Sequence, residues 1–252
     1  MNRLSVIIIS YNEEENIKEC LESVKWSDEI VVVDSFSSDR TVEIAREFTP
    51  KVFQNKWTNF SRQKNFALGK ASNEWVLNID ADERATPELR KEVLTILNSE
   101  FSLLDGYYIP RRNHYLGKWI RHCGWYPDYK LRLFRKHKGM FNERTVHESV
   151  VVEGKKGYLK SCLNHYSYKN LSDHLSRIDK FSSLAAEEMF GGGKRAGPFD
   201  LLFRPLTRFI KMYLIKKGYL DGVYGLIVSI MGSFYVFTKY LKLWELWRGR
   251  ID

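Results

Sequence analysis

Cysteine is the first scarcity in this chain. The sequence holds three, Cys20, Cys123 and Cys162, scattered and odd in number. None sits in a CxxC pair or a Cys/His spacing of the zinc-ligand kind. A disulfide framework and a zinc finger are therefore excluded, and a reducing cytoplasm is the expected setting. Phosphate-cradling glycines are missing too. No GxGxxG follows the first apolar run, and Gly69-Lys70 lacks the preceding glycine of a GxxxxGK[ST] loop. Neither a dinucleotide fold nor a P-loop NTPase is supported. No internal repeat is visible. The opening residues, from Met1 to Ser10, offer a short apolar run without a small-residue cleavage site, so they read as a strand and not a signal peptide.

Long hydrophobic runs are also lacking. The longest uncharged stretch, between Asp221 and Lys239, has 17 residues and contains Gly222, Gly225 and Gly232. A spanning helix needs about 20 apolar residues. What is present is ordinary globular material: 252 residues, 44% apolar and 28% charged. That is enough for a sizeable core without staples. The charge is unevenly placed. Residues 1–100 carry 13 basic and 18 acidic residues, and residues 101–252 carry 27 and 13, within a total of +9. An acidic front and a strongly basic back call for two separate explanations.

The first hundred residues alternate strand and helix patterns. Leu4 to Ser10 and Glu29 to Asp34 are continuous β-branched runs of the kind covered on both faces. Asn12 reads as a helix cap ahead of Glu13, Glu14 and Glu15, and Ser38 or Asp39 as the next. A short strand near Val52, a helix over Phe60 to Lys70 and a strand over Trp75 to Ile79 follow. Thr86-Pro87 opens another helix. The series predicts an α/β fold with a mostly parallel central sheet flanked by helices. Beyond residue 105, Gly106 to Pro110, Tyr129 to Phe134 and Val146 to Val152 read as strands, and Asn170 to Phe190 as a helix. The expected organisation is a catalytic domain over 1–190, split near 104 into a donor side and an acceptor side. A glycine-rich linker over 191–198 and a basic aromatic helical tail over 199–252 complete it.

Ligands of open α/β sheets bind at the carboxyl ends of the strands. Those ends here are Ser10-Tyr11-Asn12-Glu13, then Asp34 with Ser35, Ser37, Ser38 and Asp39, then Asp80-Ala81-Asp82-Glu83. Taken singly, Asp39 reads as a cap and Glu14 and Glu15 as solvated dipole partners. Several carboxylates at one edge repel each other unless cations intervene. Asp-x-Asp after a buried strand suits a hard divalent cation, Mg²⁺ or Mn²⁺, shared with substrate phosphates.

These three segments, with Trp125 to Phe134 and Val146-His147-Glu148, resemble glycosyltransferase family 2, which has the GT-A fold. The likeness covers roughly residues 4–170, and the later segments are similar to its lipopolysaccharide-core branch. The resemblance implies an inverting transfer of a hexose from a nucleotide diphosphate sugar, UDP-glucose in that branch, to a lipid-linked saccharide such as inner-core heptose. It implies donor contacts from Ser10, Tyr11, Glu13, Asp34, Gln63, Lys64, Asp80, Gly124 and Arg132. It implies a metal held by Asp82 and Asp80, with His147 or else His165 completing the site, and a catalytic base at Asp128. The family usually shows Glu-Asp there, whereas this chain has Pro127-Asp128, which also reads as a turn after proline. Two other acceptors, an exopolysaccharide or a polyprenyl phosphate, fit the same pattern. A non-catalytic nucleotide-sugar-binding membrane protein is the remaining alternative, and the intact Asp80/Asp82 pair weighs against it.

The tail from Phe199 onward holds nine basic and four acidic residues among many aromatics. It reads as a membrane-associating helical extension, peripheral on the anionic inner face of the cell membrane. A helical hairpin packed on protein is the alternative. No nucleic-acid-binding motif accompanies it.

Overall fold

The computed structural model describes residues 2–99, 104–142 and 149–249. The chain forms two compact units, one from residues 1–111 and 128–165, the other from 112–127 and 166–252. In chain order the elements are β1 (Leu4–Ser10), α1 (Ile17–Val24), β2 (Glu29–Asp34), α2 (Thr41–Arg46), β3 (Val52–Gln54), α3 (Phe60–Lys70), β4 (Trp75–Asp80), β5 (Glu83–Ala85) and α4 (Pro87–Asn98). Then come β6 (Gly106–Tyr115), β7 (Lys118–Trp119), β8 (Asp128–Arg135), β9 (Gly139–Phe141), β10 (Val150–Val152), β11 (Lys156–Tyr158) and β12 (Leu163–Tyr168). Helices α5 (Leu171–Gly191), α6 (Pro198–Ile210) and α7 (Val223–Arg248) close the chain.

The main sheet runs β3-β2-β1-β4-β8-β6-β12-β5. Strands β3, β2, β1 and β4 are mutually parallel, as the βαβ pattern predicts. From β8 the pairing turns antiparallel, against β4 on one side and β6 on the other, so the sheet is mixed. All seven residues of β1 are buried. The alternation explains why. Val6 and Ile8 meet α1 and α4 residues on one face, including Leu21 and Val93. Ile7 and Ile9 meet Ala67 and Leu68 of α3 on the other. Helices on both faces leave no solvated side, which is why the run lacks polar alternation.

Three local details differ from the pattern. Helix α1 starts at Ile17, after a turn, and the Asn12 side chain instead accepts from Ser38 N–H at 2.9 Å. Asn12 has φ 53°, a left-handed conformation that asparagine tolerates, and this takes it out of any helix. Strand β6 continues past Pro110 to Tyr115, because a proline keeps its carbonyl and still aligns with Tyr129 of β8. Residues 146–148 of the strand expected over Val146 to Val152 lie outside the described residues; Val150 to Val152 form β10. Thr86 caps α4, accepting from Leu89 N–H, whereas the cap position of α2 is Arg40, and Asp39, one residue earlier, accepts from Thr41 N–H.

In the second unit α7 packs against both α5 and α6. Gly225 permits a close crossing, since a Cβ there would lie 1.8 Å from the Gly218 carbonyl oxygen. Asp221, buried ahead of α7, accepts from the N–H groups of Arg121 and His122 and so ties residues 121–122 to the helix start. Tyr115 O–H and His174 Nδ1 are 3.0 Å apart inside an aromatic cluster with Trp125 and Tyr168. Burial pushes His174 down to about 4, so it is neutral at physiological pH.

Glu29, at the start of β2, anchors the amino edge of the parallel strands. Burial works against its ionisation, but hydrogen bonds from Lys51, Ser5 and Ser72 prevail and bring it from 4.5 down to about 2. A depressed carboxyl contributes stability that is present above its unfolded value and lost as pH falls through its folded value. Glu29→Gln is therefore expected to destabilise the protein at neutral pH, with the deficit shrinking between 4.5 and about 2. Urea unfolding at a series of pH values measures it. A deficit independent of pH would contradict the assignment.

Candidate active site

The β1–β2 register sets Ser10 beside Asp34, and the β1–β4 register sets Ile9 beside Asp80. The carboxyl ends of three parallel strands therefore share one edge. Asp34 is fully buried and already well partnered: Ser10 Oγ donates at 3.0 Å and Ser37 N–H at 2.8 Å. Gln63, on α3, spends its amide within the protein, donating to Ser35 Oγ and Asn55 O and accepting from Asn55. Both shape the edge. Two aromatic side chains are presented to solvent there, beside exposed Ser38. Tyr11 is 59% exposed and Phe36 57% exposed, the latter at φ 61°. A bulky residue in that region is uncommon and marks a constrained turn. Phe36 carried no sequence signal beyond its place between two serines. Glu13 is half-buried, and its carboxylate accepts from Asn16 Nδ2 at 2.8 Å.

At the end of β4 the charges alternate in sign. Asp80 lies 3.0 Å from Lys64 Nζ through one oxygen and 2.5 Å from Arg132 through the other. Arg132 also reaches Glu83 at 2.7 Å. Glu83, buried at the start of β5, accepts from Arg111 at 3.1 Å. Arg111 Nε in turn donates to Asp128 at 2.9 Å, with Lys130 3.4 Å from the other carboxylate oxygen. Five elements meet here: α3, β4, β5, β6 and β8. Burial opposes the ionisation of Asp80, yet Arg132 and Lys64 hold its carboxyl well below the usual range. Burial likewise opposes that of Asp128, and Arg111 with Lys130 lowers it. Both are carboxylates at neutral pH.

Asp82 stands apart from this chain. Its Oδ2 is 3.4 Å from His165 Nε2, and both side chains are 15% exposed. The pairing of β5 with β12 sets His165 opposite Glu83 and hence next to Asp82. The carboxylate suits Mg²⁺ or Mn²⁺ when phosphate oxygens and water complete the shell, and an imidazole beside it favours Mn²⁺, the softer of the two. Among the described residues no three acidic, histidine or cysteine side chains converge as a ready cage. So the donor set fits a cation shared with a ligand. Asp80 is turned to Lys64 and Arg132. His147 lies outside the described residues. Gly124, with φ +76°, belongs to the second unit.

The sequence singled out Asp80, Lys64, Arg132 and Asp128 in separate roles; the structure joins them in one network through Arg111 and Glu83, to which no sequence signal assigned a role. Arg111→Met removes one partner from buried Glu83 and the main one from Asp128. It is expected to cost about 3 kcal/mol at neutral pH, the low end for a broken buried pair because Arg132 stays on Glu83. The Asp128 carboxyl is expected to titrate higher, and carbon-detected NMR reads this. An unmoved carboxyl would mean that Lys130 and not Arg111 sets it.

Residues 5–166 match the family model for "Glycosyl transferase family 2". The lipopolysaccharide core biosynthesis glycosyltransferase LpsC of Rhizobium meliloti is 31% identical over 254 residues, 96% of this chain and 92% of that one. An uncharacterized glycosyltransferase of Rickettsia typhi, RT0209, is 32% identical, over 98% of this chain and 88% of its own. Among solved structures, the mannosyltransferase PcManGT from Pyrobaculum calidifontis, in complex with GDP-Man and Mn²⁺, superposes with a TM-score of 0.54. It is 17% identical and covers 98% of this chain and 88% of that one. S. aureus TarS 1-349 in complex with UDP gives 0.50 at 18% identity, over 98% and 92%. The sequence match over most of the chain and the shared fold agree: this protein belongs to glycosyltransferase family 2 and has the GT-A fold.

Proposed function

We propose that this enzyme is an inverting, metal-dependent hexosyltransferase that draws on a UDP-sugar, UDP-glucose in the simplest case. Its acceptor would be a lipid-linked saccharide such as the inner-core heptose of lipopolysaccharide, at the inner face of the cell membrane. The observation that carries this reading is the separation of roles at the sheet edge. Asp82 lies 3.4 Å from His165 outside the arginine network, while Asp128 is kept ionised by Arg111. The LpsC relative supports the lipopolysaccharide assignment. The structural neighbours bound to UDP, or to GDP-Man with Mn²⁺, support the donor and metal classes.

In this reading Tyr11 and Phe36 flank the nucleotide base, and buried Asp34, held by Ser10 and Ser37, fixes the turn that presents them. Glu13 and Gln63 frame that pocket. Lys64 and Arg132 set positive charge beside the diphosphate, and Asp80 keeps both cations in place. Asp82 and His165 would hold a divalent cation, whose chemistry is to neutralise charge developing on the leaving diphosphate. Asp128 takes the proton of the acceptor hydroxyl as its oxygen attacks the anomeric carbon from the opposite face. General-base assistance of this kind supplies about 10²–10⁴-fold. The Arg111 pairing makes Asp128 a weaker base but guarantees that it is deprotonated and oriented.

Calorimetric titration with UDP-sugars in the presence of Mn²⁺ or Mg²⁺ tests the donor half. Asp82→Ala is expected to abolish the metal-stimulated part of binding, and His165→Ala to weaken it on the order of tenfold or more. Asp128→Asn is expected to bind donor normally and to lose roughly 10²–10⁴-fold in transfer to core saccharide. Full transfer by Asp128→Asn would refute the base. Metal-independent donor binding by wild type would refute the cation site.

A further inference from the structure

Helix α6 and the turn after it carry an apolar face that no described residue covers. Phe199, Leu202, Phe203, Leu206 and Ile210 recur at helical spacing and are all exposed, Phe199 at 65% and Leu202 at 68%. The exposure continues beyond the helix through Leu214 and Ile215, then Leu220 and Val223. The opposite side of α6 is the packed one. Pro205 and Met212 are buried there, and a Cβ at Gly232 of α7 would meet Met212. So α6 is held by α7 through one side and shows hydrocarbon on the other.

The charge beside this face has one dominant sign. Lys194 and Arg195 precede α6 and Lys211, Lys216 and Lys217 follow it, while Arg204 and Arg208 lie on the side of the helix turned to α7, Arg204 over the Tyr240 ring; the one acid on the helix itself is Asp200. Asp200 is taken by Arg204. Lys239, on the neighbouring part of α7, is pushed below the usual lysine range by burial and by Arg204, Lys194 and Arg208. Like charges gathered in this way favour an anionic counterpart.

Helix α7 has the length and hydropathy to cross a membrane. Its surroundings argue against that use. It is gripped by α5 and α6, Ser233 donates to the Pro205 carbonyl, and Lys239 and Lys242 interrupt its second half. Its one free side, with Ile230 and Phe234, is less exposed than that of α6.

We infer that residues 198–223 form an in-plane membrane anchor. The apolar side of α6 and its following turn would be seated in the headgroup–acyl boundary of an anionic leaflet, with α7 as the supporting helix and not a span. This rests on the membrane-peripheral reading proposed above and says which element makes the contact. A helix with one apolar side and a basic flank lies in the interface plane, and its binding scales with buried apolar area and with anionic lipid.

The test is flotation of the full chain with phosphatidylcholine vesicles, with and without phosphatidylglycerol. Wild type is expected to float with the anionic vesicles and to be released by salt. Leu202→Glu with Leu206→Glu is expected to lower partitioning roughly a hundredfold, since two leucines lose their burial. Ile230→Glu with Phe234→Glu on α7 is expected to leave it unchanged. All four positions are exposed, and thermal melts with donor-binding titrations confirm folding. As a second measurement, an environment-sensitive dye on Leu202→Cys should shift to the blue with anionic vesicles, and one on Ile230→Cys should not; the native cysteines are buried. Loss of flotation in the α7 pair, or equal loss in both pairs, overturns the inference while the membrane reading stands. If wild type does not float, the membrane reading itself fails. If the α6 pair changes oligomeric mass and not flotation, the face covers a second copy of the chain, and the inference is wrong.

Discussion

Acidic residues delivered to one sheet edge by neighbouring strands cannot remain ionised there unassisted. Everything at the edge of this enzyme follows from how that problem is solved. Asp80, Glu83 and Asp128 are interleaved with Lys64, Arg132 and Arg111, and each arginine joins two carboxylates. Bidentate, planar guanidinium groups are suited to such bridging in a way a lysine ammonium is not. The price of burying these charges is high, and a pair that loses one member leaves the other without compensation. The network therefore fixes α3, β4, β5, β6 and β8 relative to one another more strictly than apolar packing would.

The same network decides which carboxylate is left for other chemistry. Its three acids are matched by Lys64, Arg132 and Arg111, with Lys130 beside Asp128, without any added ion. Asp82 stands outside that balance, facing a histidine that is charged only when protonated. Adding a dication at Asp80 would set it against Lys64 and Arg132 on both oxygens. At Asp82 it would meet a carboxylate with the His165 ring 3.4 Å away. The two aspartates of the Asp-x-Asp segment, equivalent by sequence spacing, are thus made unequal by their neighbours. Strand alternation alone would set both on one face; the turn at Ala81-Asp82 parts them, and the arginines complete the distinction.

How much of this was legible in the sequence depends on the range of the interaction concerned. β1, β2 and β4 announce themselves because a strand covered on both faces must be apolar throughout, and their terminal acids follow by position. Thr86 and Asn170 cap their helices as local chemistry dictates. Arg111 and Glu83 could not be read in the same way. Arg111 lies one residue past Pro110, where a strand was expected to stop, and its partner Asp128 is 17 residues on. Glu83 looks like one more acid in a polar turn until β12 pairs with β5. That antiparallel pairing also brings His165 to Asp82, whereas His147, given preference on resemblance, lies outside the described residues. Phe36 is a similar case, since its exposure depends on a left-handed backbone that no period encodes.

The uneven charge of the chain takes its meaning from the same accounting. The front half is acidic by five, yet the carboxylates of its site are largely matched within the first unit, by cations that include Arg111 and Arg132 from later in the sequence. The catalytic edge is therefore not a broad negative field. The surplus of the back half is not consumed in that way. Some of its cations are paired, as Lys242 is with Asp179 and Arg204 with Asp200, while Lys211, Lys216 and Lys217 follow the exposed hydrocarbon of α6. Repulsion among them opposes folding, and a folded protein retains such an arrangement at a cost in stability. An anionic surface removes that cost only if the apolar side and the cations meet it together, which is the geometry that a helix lying flat in a leaflet provides.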